Sequence, residues 1–290
     1  MTEGEQPARP PPSLAGWRFV HRLVETDFSD IWLAEDMRLG RRVAVKIFAL
    51  KLDGNGTRPP FDADEWRRRF IQEARLLARF DHPHIIPVVA LDRLDDGRPA
   101  IFMQALSGSL RREIGTDDFE PEAVAAMGES ERPRAASPAR TRQVLLELLS
   151  ALVAIHGKGI VHRDIKPRNL LLSNGTGSRI KLIDFGMAKA PDEKPAAEPF
   201  WIGTRDYISP EQYADSAQAT DRSDIFSVGV IGIRMLTGSF PDREKLRAVQ
   251  GLPPAFADLL CRALSYRAGQ RPSALEMARN LAAIPLPRPE

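Results

Sequence analysis

Along the first fifty positions, apolar residues recur at the two-residue spacing of a half-buried strand. Residues 17–24 and 31–34 read as strands, and Val43, Val45 and Ile47 alternate with Ala44 and Lys46. The period then changes. Between 62 and 80, Phe70, Ala74, Leu77 and Phe80 fall on one stripe of a helix. Two more short strands fit 87–94 and 100–106, so the first hundred residues predict a mainly β unit with one long helix. Beyond Met103 helical spacing dominates. Val144, Leu145, Leu148, Leu149, Leu152 and Ile155 share one face, and 219–236, 254–264 and 274–284 repeat the pattern. Residues 115–140, rich in Pro, Glu, Ala and Ser, hold no steady period and read as a long insertion or mobile loop.

Proline placement sets the boundaries. Pro7, Pro10, Pro11 and Pro12 make 1–13 a disordered tail, and Pro285, Pro287 and Pro289 make 285–290 a second tail, as in a linker of a longer parent chain. The units between them run over 14–103 and 104–284. Lys and Arg number 41 against 39 Asp and Glu, a formal charge of +2, which argues against a nucleic-acid binder held mainly by phosphate contacts. With 43% hydrophobic residues the chain can bury a sizeable core. The single cysteine, Cys261, forms no internal disulfide, which suits a reducing compartment. Residues 2–13 lack the apolar stretch of a secretory signal. The longest apolar run, 228–233, falls far short of the roughly 18 residues that span a bilayer. The expected location is the cytoplasm, with no membrane segment in this chain. Nothing in the sequence marks an oligomeric state.

The chemistry lies in two short stretches. His162-Arg163-Asp164-Ile165-Lys166-Pro167-Arg168-Asn169 precedes a short apolar strand at 170–172, and Asp184-Phe185-Gly186 follows another at 180–183. In this order and spacing they resemble the catalytic and magnesium-binding loops of eukaryotic-type (Hanks-type) protein kinases, with wording closest to the bacterial serine/threonine kinases. The resemblance runs from about 17 to 284 and implies an α+β, two-lobed protein kinase fold. Its N-lobe would be small and mainly β with one long helix, and its C-lobe larger and mainly α.

The activity implied is transfer of the γ-phosphate of Mg-ATP to Ser or Thr hydroxyls of a protein substrate. Such transfer needs little covalent help, so catalysis is positioning plus neutralisation of phosphate charge. By resemblance, Asp164 accepts the hydroxyl proton and Lys166 reaches the transferring phosphate. Asn169 and Asp184 offer oxygen ligands to Mg²⁺, with Mn²⁺ as a substitute. Lys46 follows Val43-Ala44-Val45, and alternation puts Ala44 and Lys46 on one face, where a small residue leaves room for adenine and an ammonium reaches phosphate. Glu73 shares the inward stripe of Phe70 and Leu77, and a carboxylate there needs a partner, for which Lys46 is the candidate. Met103, Gln104 and Leu106 align with the adenine-binding hinge, and Leu23, Val24, Thr26, Ser29, Ile31 and Leu171 complete the expected nucleotide set. Leu77, Val88, His162 and Phe185 would form the family's apolar stack.

Further on, Gly203-Thr204 and Tyr207-Ile208-Ser209-Pro210-Glu211 resemble the end of an activation segment, with Ser209 in place of the usual Ala. There the family pairs Glu211 with Arg271 and braces the catalytic loop with Asp224. These segments separate protein kinases from small-molecule kinases of similar fold.

Two departures matter. The stretch Val24-Glu25-Thr26-Asp27-Phe28-Ser29-Asp30-Ile31 stands where a glycine-rich loop is expected, and all three glycines are missing. Glycine there lets backbone N–H groups approach phosphate closely. The hydroxyls of Thr26 and Ser29 could substitute in part, whereas Glu25, Asp27 and Asp30 repel phosphate unless they point away. Weakened or metal-dependent ATP affinity is expected, and a pseudokinase or nucleotide-holding scaffold stays open as an alternative. The second departure is that 187–203 contains no Ser, Thr or Tyr, while Glu198 stands five residues before Gly203. Glu198 is expected to act as a fixed anion for Arg163, so that loop phosphorylation is not needed. With Arg168 and Arg205 adding positive charge, a preference for basic peptides is disfavoured.

Overall fold

The alternating positions of the first unit close into one antiparallel sheet. In the computed structural model, which describes residues 11–50, 62–188 and 205–287, its strands are β1 (Trp17–Glu25), β2 (Ser29–Asp36), β3 (Arg41–Phe48), β4 (Val88–Arg93) and β5 (Pro99–Gln104). Their order across the sheet is β1-β2-β3-β5-β4. One face of the sheet carries Ala34, Val43, Val45, Ile47, Ala100 and Phe102, with Leu14, Trp17, Phe19 and Trp32 packed over it. Burying a Val or Ile side chain contributes about 1.5–3 kcal/mol, so this layer holds the sheet in register.

Helix α1 (Ala63–Leu77) lies on the other face. It starts where Asp62 accepts a hydrogen bond from the Glu65 backbone at 2.7 Å, and it buries Trp66, Phe70, Ala74 and Leu77. Phe70 meets Phe48 of β3 edge-on, with ring centroids 5.7 Å apart.

The second unit takes Arg79–Ile86 as well as the chain from Leu106 onward. Sequence periodicity put 79–86 with the first unit. Its contacts explain the difference, because the Ile86 N–H bonds the Leu182 carbonyl at 3.0 Å, and Lys158 and Lys181 donate to the carbonyls of Arg79 and Pro83, each at 2.8 Å. The helices are α2 (Arg111–Ile114), α3 (Pro121–Ala126), α4 (Pro138–His156), α5 (Pro210–Ala214), α6 (Asp221–Thr237), α7 (Arg243–Arg247), α8 (Pro254–Ala263) and α9 (Ala274–Ala283). Strands β6 (Leu170–Leu172) and β7 (Ile180–Leu182) form a two-stranded ribbon.

Helix α6 is buried on almost every side. Its Gly229 and Gly232 bring the backbone against Ala263 and Leu260 of α8, so the two helices pack closely. A capping box at Thr220 and Ser223 fixes its start, and Gly238, at φ 72°, ends it.

Residues 115–140 are not one irregular loop. They contain α3 and the first turn of α4, and they wrap a buried cation. Arg234 of α6 is fully buried and donates to the carbonyls of Ile114 and Thr116 at 2.8 and 2.6 Å and to Asp117 at 3.1 Å. Gly115, at φ 79°, makes the turn possible, since a Cβ there would stand 2.0 Å from the Arg132 carbonyl oxygen. Periodicity gave no sign of this because polar anchoring around one arginine, not an apolar stripe, orders the segment.

Candidate active site

The expected site residues fall into two clusters, one in each unit. In the first, cross-strand pairing puts Val24, Ile31 and Lys46 in one row and Leu33, Ala44 and Met103 in the next, all on the face of the sheet opposite the apolar layer. The Lys46 ammonium lies 2.8 Å from both carboxylate oxygens of Glu73, on α1. Both side chains are largely buried, and a buried charge persists only where it is paired and hydrogen-bonded. Met103 is buried, while Gln104 at the end of β5 is exposed, as are Leu23 and Val24 on β1.

Thr26 and Ser29 bond each other. Thr26 Oγ1 donates to the Ser29 carbonyl at 2.9 Å and accepts from the Ser29 N–H at 3.0 Å, and the two hydroxyls lie 3.1 Å apart. Ser29 is buried. Their polar groups therefore close the β1–β2 turn. The reason lies in the missing glycines: with no residue in the left-handed region here, side-chain bonds hold the hairpin together. Of the three nearby carboxylates, Glu25 is exposed and pairs with Arg22 at 2.6 Å, Asp27 is exposed, and Asp30 is buried.

In the second unit, the loop between α4 and β6 carries Asp164. One carboxylate oxygen lies 2.8 Å from the Lys166 ammonium, and the other accepts from the Asn169 amide at 2.9 Å. That amide also donates to the Asp164 carbonyl at 2.8 Å, which leaves the Asn169 carbonyl oxygen as the atom it could offer to a cation. Burial raises the Asp164 pKa above the ordinary carboxylate range; Lys166 counters this and the charge of Asp184 reinforces it. Such an upward shift brings a carboxylate nearer to the working pH of a general base. Leu171, on β6, is half-buried, as is Leu106.

Arg163 and Asp184 have φ of 67° and 65°, and among the described residues they are the non-glycine positions in the left-handed region. Such backbone costs about 1–3 kcal/mol and persists only where surrounding contacts fix it. Those contacts are on hand. The Arg163 N–H bonds Asp224 at 2.8 Å, its guanidinium bonds the Met187 carbonyl at 2.5 Å, and its carbonyl accepts from Gln212 at 3.1 Å. Asp184 accepts from the Gly186 N–H at 3.3 Å, and Phe185 is buried with its ring 4.9 Å from that of His162. One carboxylate (Asp184) and one amide carbonyl (Asn169) suit Mg²⁺, which takes few protein ligands and completes its shell with water and substrate phosphate. Among the described residues no group of three or more His, Cys, Asp or Glu could hold a metal ion.

Glu211 and Arg271 meet in a two-pronged pair at 2.6 and 2.8 Å, and Ser223 donates to the same carboxylate at 2.6 Å. Burial pushes the Glu211 pKa up, but the hydrogen bonds from Arg271 and Ser223 outweigh it and hold the group at about 2. A depressed carboxylate contributes stability that is present above its unfolded value and lost as pH falls through the folded one. The Glu211→Gln variant should therefore be less stable than the parent at neutral pH by about 2–4 kcal/mol, because Arg271 is left buried beside a neutral amide. The gap should narrow as pH falls from about 4.5 toward 2; denaturant midpoints across that range check it, and a constant gap would contradict the pairing.

Glu198 and Thr204 lie outside the described residues. Three contributors were missed by the sequence reading. His156 ends α4 and bonds Asp224 at 2.8 Å; Gln212 holds the Arg163 carbonyl; Ser223 joins the Glu211 pair. Only His156 carried a signal, a polar residue directly after the buried stripe of a helix. Among the described residues no helix is long and apolar enough to cross a membrane.

The chain is similar to known proteins. The protein kinase domain family matches residues 21–280. The serine/threonine-protein kinase PknL of Mycobacterium bovis is 32% identical over 278 residues, 88% of this chain and 62% of PknL. The serine/threonine-protein kinase pkn2 of Myxococcus xanthus is 31% identical over 230 residues, 78% of this chain and 25% of pkn2. The probable serine/threonine-protein kinase PknB of Corynebacterium glutamicum is 33% identical over 219 residues, 73% of this chain and 30% of its own length. The chain thus spans from 25% to 62% of the length of these curated relatives. With the family match covering nearly its whole length and the loops built as described, the chain belongs to the protein kinase domain family, of the Hanks type found in bacterial serine/threonine kinases.

Proposed function

We propose that this chain is an active serine/threonine protein kinase domain that transfers the γ-phosphate of Mg-ATP to a protein hydroxyl and works in the cytoplasm. The observation that carries this reading is the geometry of Asp164, half-buried and held between Lys166 and Asn169. As the substrate oxygen bonds to the γ-phosphorus and the bond to the β-phosphate oxygen breaks, Asp164 takes the hydroxyl proton. Lys166 places positive charge beside the transferring group. Lys46, fixed by Glu73, binds the phosphates of the nucleotide, and Ala44 and Met103 flank adenine. Asp184 and Asn169 would hold Mg²⁺, which would supply positive charge against the phosphates. Thr26 and Ser29 shape the hairpin, so phosphate binding rests on Lys46 rather than on the β1–β2 turn.

Glu198 is proposed as the fixed anion of the activation segment, which would let the unphosphorylated protein work without a lag. The experiment is transfer of labelled γ-phosphate to a generic protein, followed by phosphoamino-acid analysis. Label is expected on Ser and Thr, from the first turnover, and slower by about tenfold or more in Glu198→Ala. Label on Tyr alone would overturn the substrate class, and an unaffected Glu198→Ala would overturn the role of the loop. The β1–β2 turn, closed on itself, favours one second reading, a scaffold that holds nucleotide without turnover.

A further inference from the structure

On the kinase reading above, Lys46 binds nucleotide phosphate while Glu73 fixes it, so whatever holds α1 in place also places Lys46. The helix carries a stripe suited to this. Trp66, Phe70 and Glu73 stand four and then three positions apart, and all three are buried on one side of α1. Phe70 packs edge-on against Phe48 of β3, and the Lys46 ammonium lies 6.0 Å from the centre of the Phe70 ring. Trp66 meets a different part of the sheet. Its ring centroid lies 4.2 Å from that of Phe28, with the planes tilted by 32°, and Phe28 belongs to the turn between β1 and β2.

Phe28 is itself fixed by its backbone. Its N–H bonds Thr26 Oγ1 at 3.4 Å, its carbonyl accepts from the Ala49 N–H at 3.0 Å, and the Thr26–Ser29 bonds close the hairpin around it. The Phe28 side chain is half-buried and its partner Trp66 only 8% exposed. A turn rich in glycine keeps its conformational freedom, whereas this one, without glycine and bonded to itself and to Ala49, presents a fixed aromatic surface to the helix. The neighbour of Trp66 adds a second tie. Arg67 donates to the Gly97 carbonyl at 2.7 Å, so the first half of α1 is anchored to the β1–β2 and β4–β5 connections alike.

We propose that Phe28 is a positioning residue: stacked on Trp66, it clamps α1 to the sheet and so holds Glu73 against Lys46. An aromatic pair of this kind corresponds to about two- to tenfold in an equilibrium constant, and loss of the clamp weakens the grip of Lys46 on phosphate by a factor of that order.

The test compares the affinity of ATP with that of adenosine, which has no phosphate for Lys46 to bind. Calorimetry is run on the parent, Phe28→Ala, Trp66→Ala, Trp66→Phe, Glu73→Gln and the double variant Phe28→Ala with Glu73→Gln. In Phe28→Ala and Trp66→Ala, ATP should bind about three- to tenfold more weakly with adenosine unchanged, and Trp66→Phe should keep most of the parental affinity. In the Glu73→Gln background, Phe28→Ala should have little further effect, because the clamp acts through Glu73. Equal losses for ATP and adenosine would mark a merely structural role and overturn the proposal. So would an unchanged ATP affinity, or a Phe28→Ala effect as large in the Glu73→Gln background as in the parent. Phe28→Ala alters a half-buried turn residue and decides the matter even where Trp66→Ala fails to fold.

Affinity is read without turnover, so this proposal and the kinase reading fail separately. A selective loss of ATP affinity with no phosphoryl transfer by the parent supports the clamp and counts against catalysis. Transfer by the parent with no selective loss does the reverse, and a parent that binds no ATP overturns both.

Discussion

Alanine in place of Asp224 is expected to destabilise the second unit by about 3–5 kcal/mol and to remove most phosphoryl transfer with it. The carboxylate is almost fully buried and accepts three hydrogen bonds, from the N–H groups of His162 and Arg163 at 2.9 and 2.8 Å and from His156 at 2.8 Å. Removing it strands two backbone donors at about 1–3 kcal/mol each. It also releases Arg163 from its left-handed conformation, and Asp164 is the next residue. Burial alone would push the Asp224 pKa up, but the bond from His156 and its charge, with His162 adding to them, hold it below the ordinary range. The sign follows from that shift: Asp224 stabilises the fold above the usual carboxylate range, and this contribution fades as pH falls below it. Denaturant unfolding at neutral and acid pH checks both points. An Asp224→Ala protein with parental stability would contradict the bracing role.

Most of the fold could be read from the chain because its signals are local. The alternation of Val43, Val45 and Ile47 with Ala44 and Lys46 fixes both the strand and the face that Lys46 occupies. Likewise, the stripe through Phe70, Glu73 and Leu77 puts a carboxylate on the buried side of α1, where it meets the lysine. What could not be read depends on contacts distant in sequence. Residues 115–140 take their shape from Arg234, more than ninety positions later, and 79–86 from the β6–β7 ribbon and from Lys158, just past the end of α4. His156 and Ser223 act through partners on other elements. The Thr26–Ser29 turn is ambiguous for a different reason. Hydroxyls that could face a phosphate can equally close a turn, and sequence alone does not choose between the two.

Asparagine at position 164 is expected to slow phosphoryl transfer by about 10²–10⁴-fold, the usual contribution of a positioned general base. The substitution keeps size and shape but removes the proton acceptor and the charge that holds Lys166 at 2.8 Å. Lys46, Glu73 and Asp184 are untouched, so nucleotide binding should change little.

The most direct measurement is therefore a single-turnover transfer of labelled γ-phosphate from Mg-ATP to a protein substrate, run in parallel on the parent and Asp164→Asn, with ATP binding followed by thermal shift in both. Label accumulating with the parent and falling by at least a hundredfold in the variant, at comparable nucleotide affinity, is the predicted result. Intact ATP binding with no transfer by the parent protein would contradict the account and leave the scaffold reading in its place.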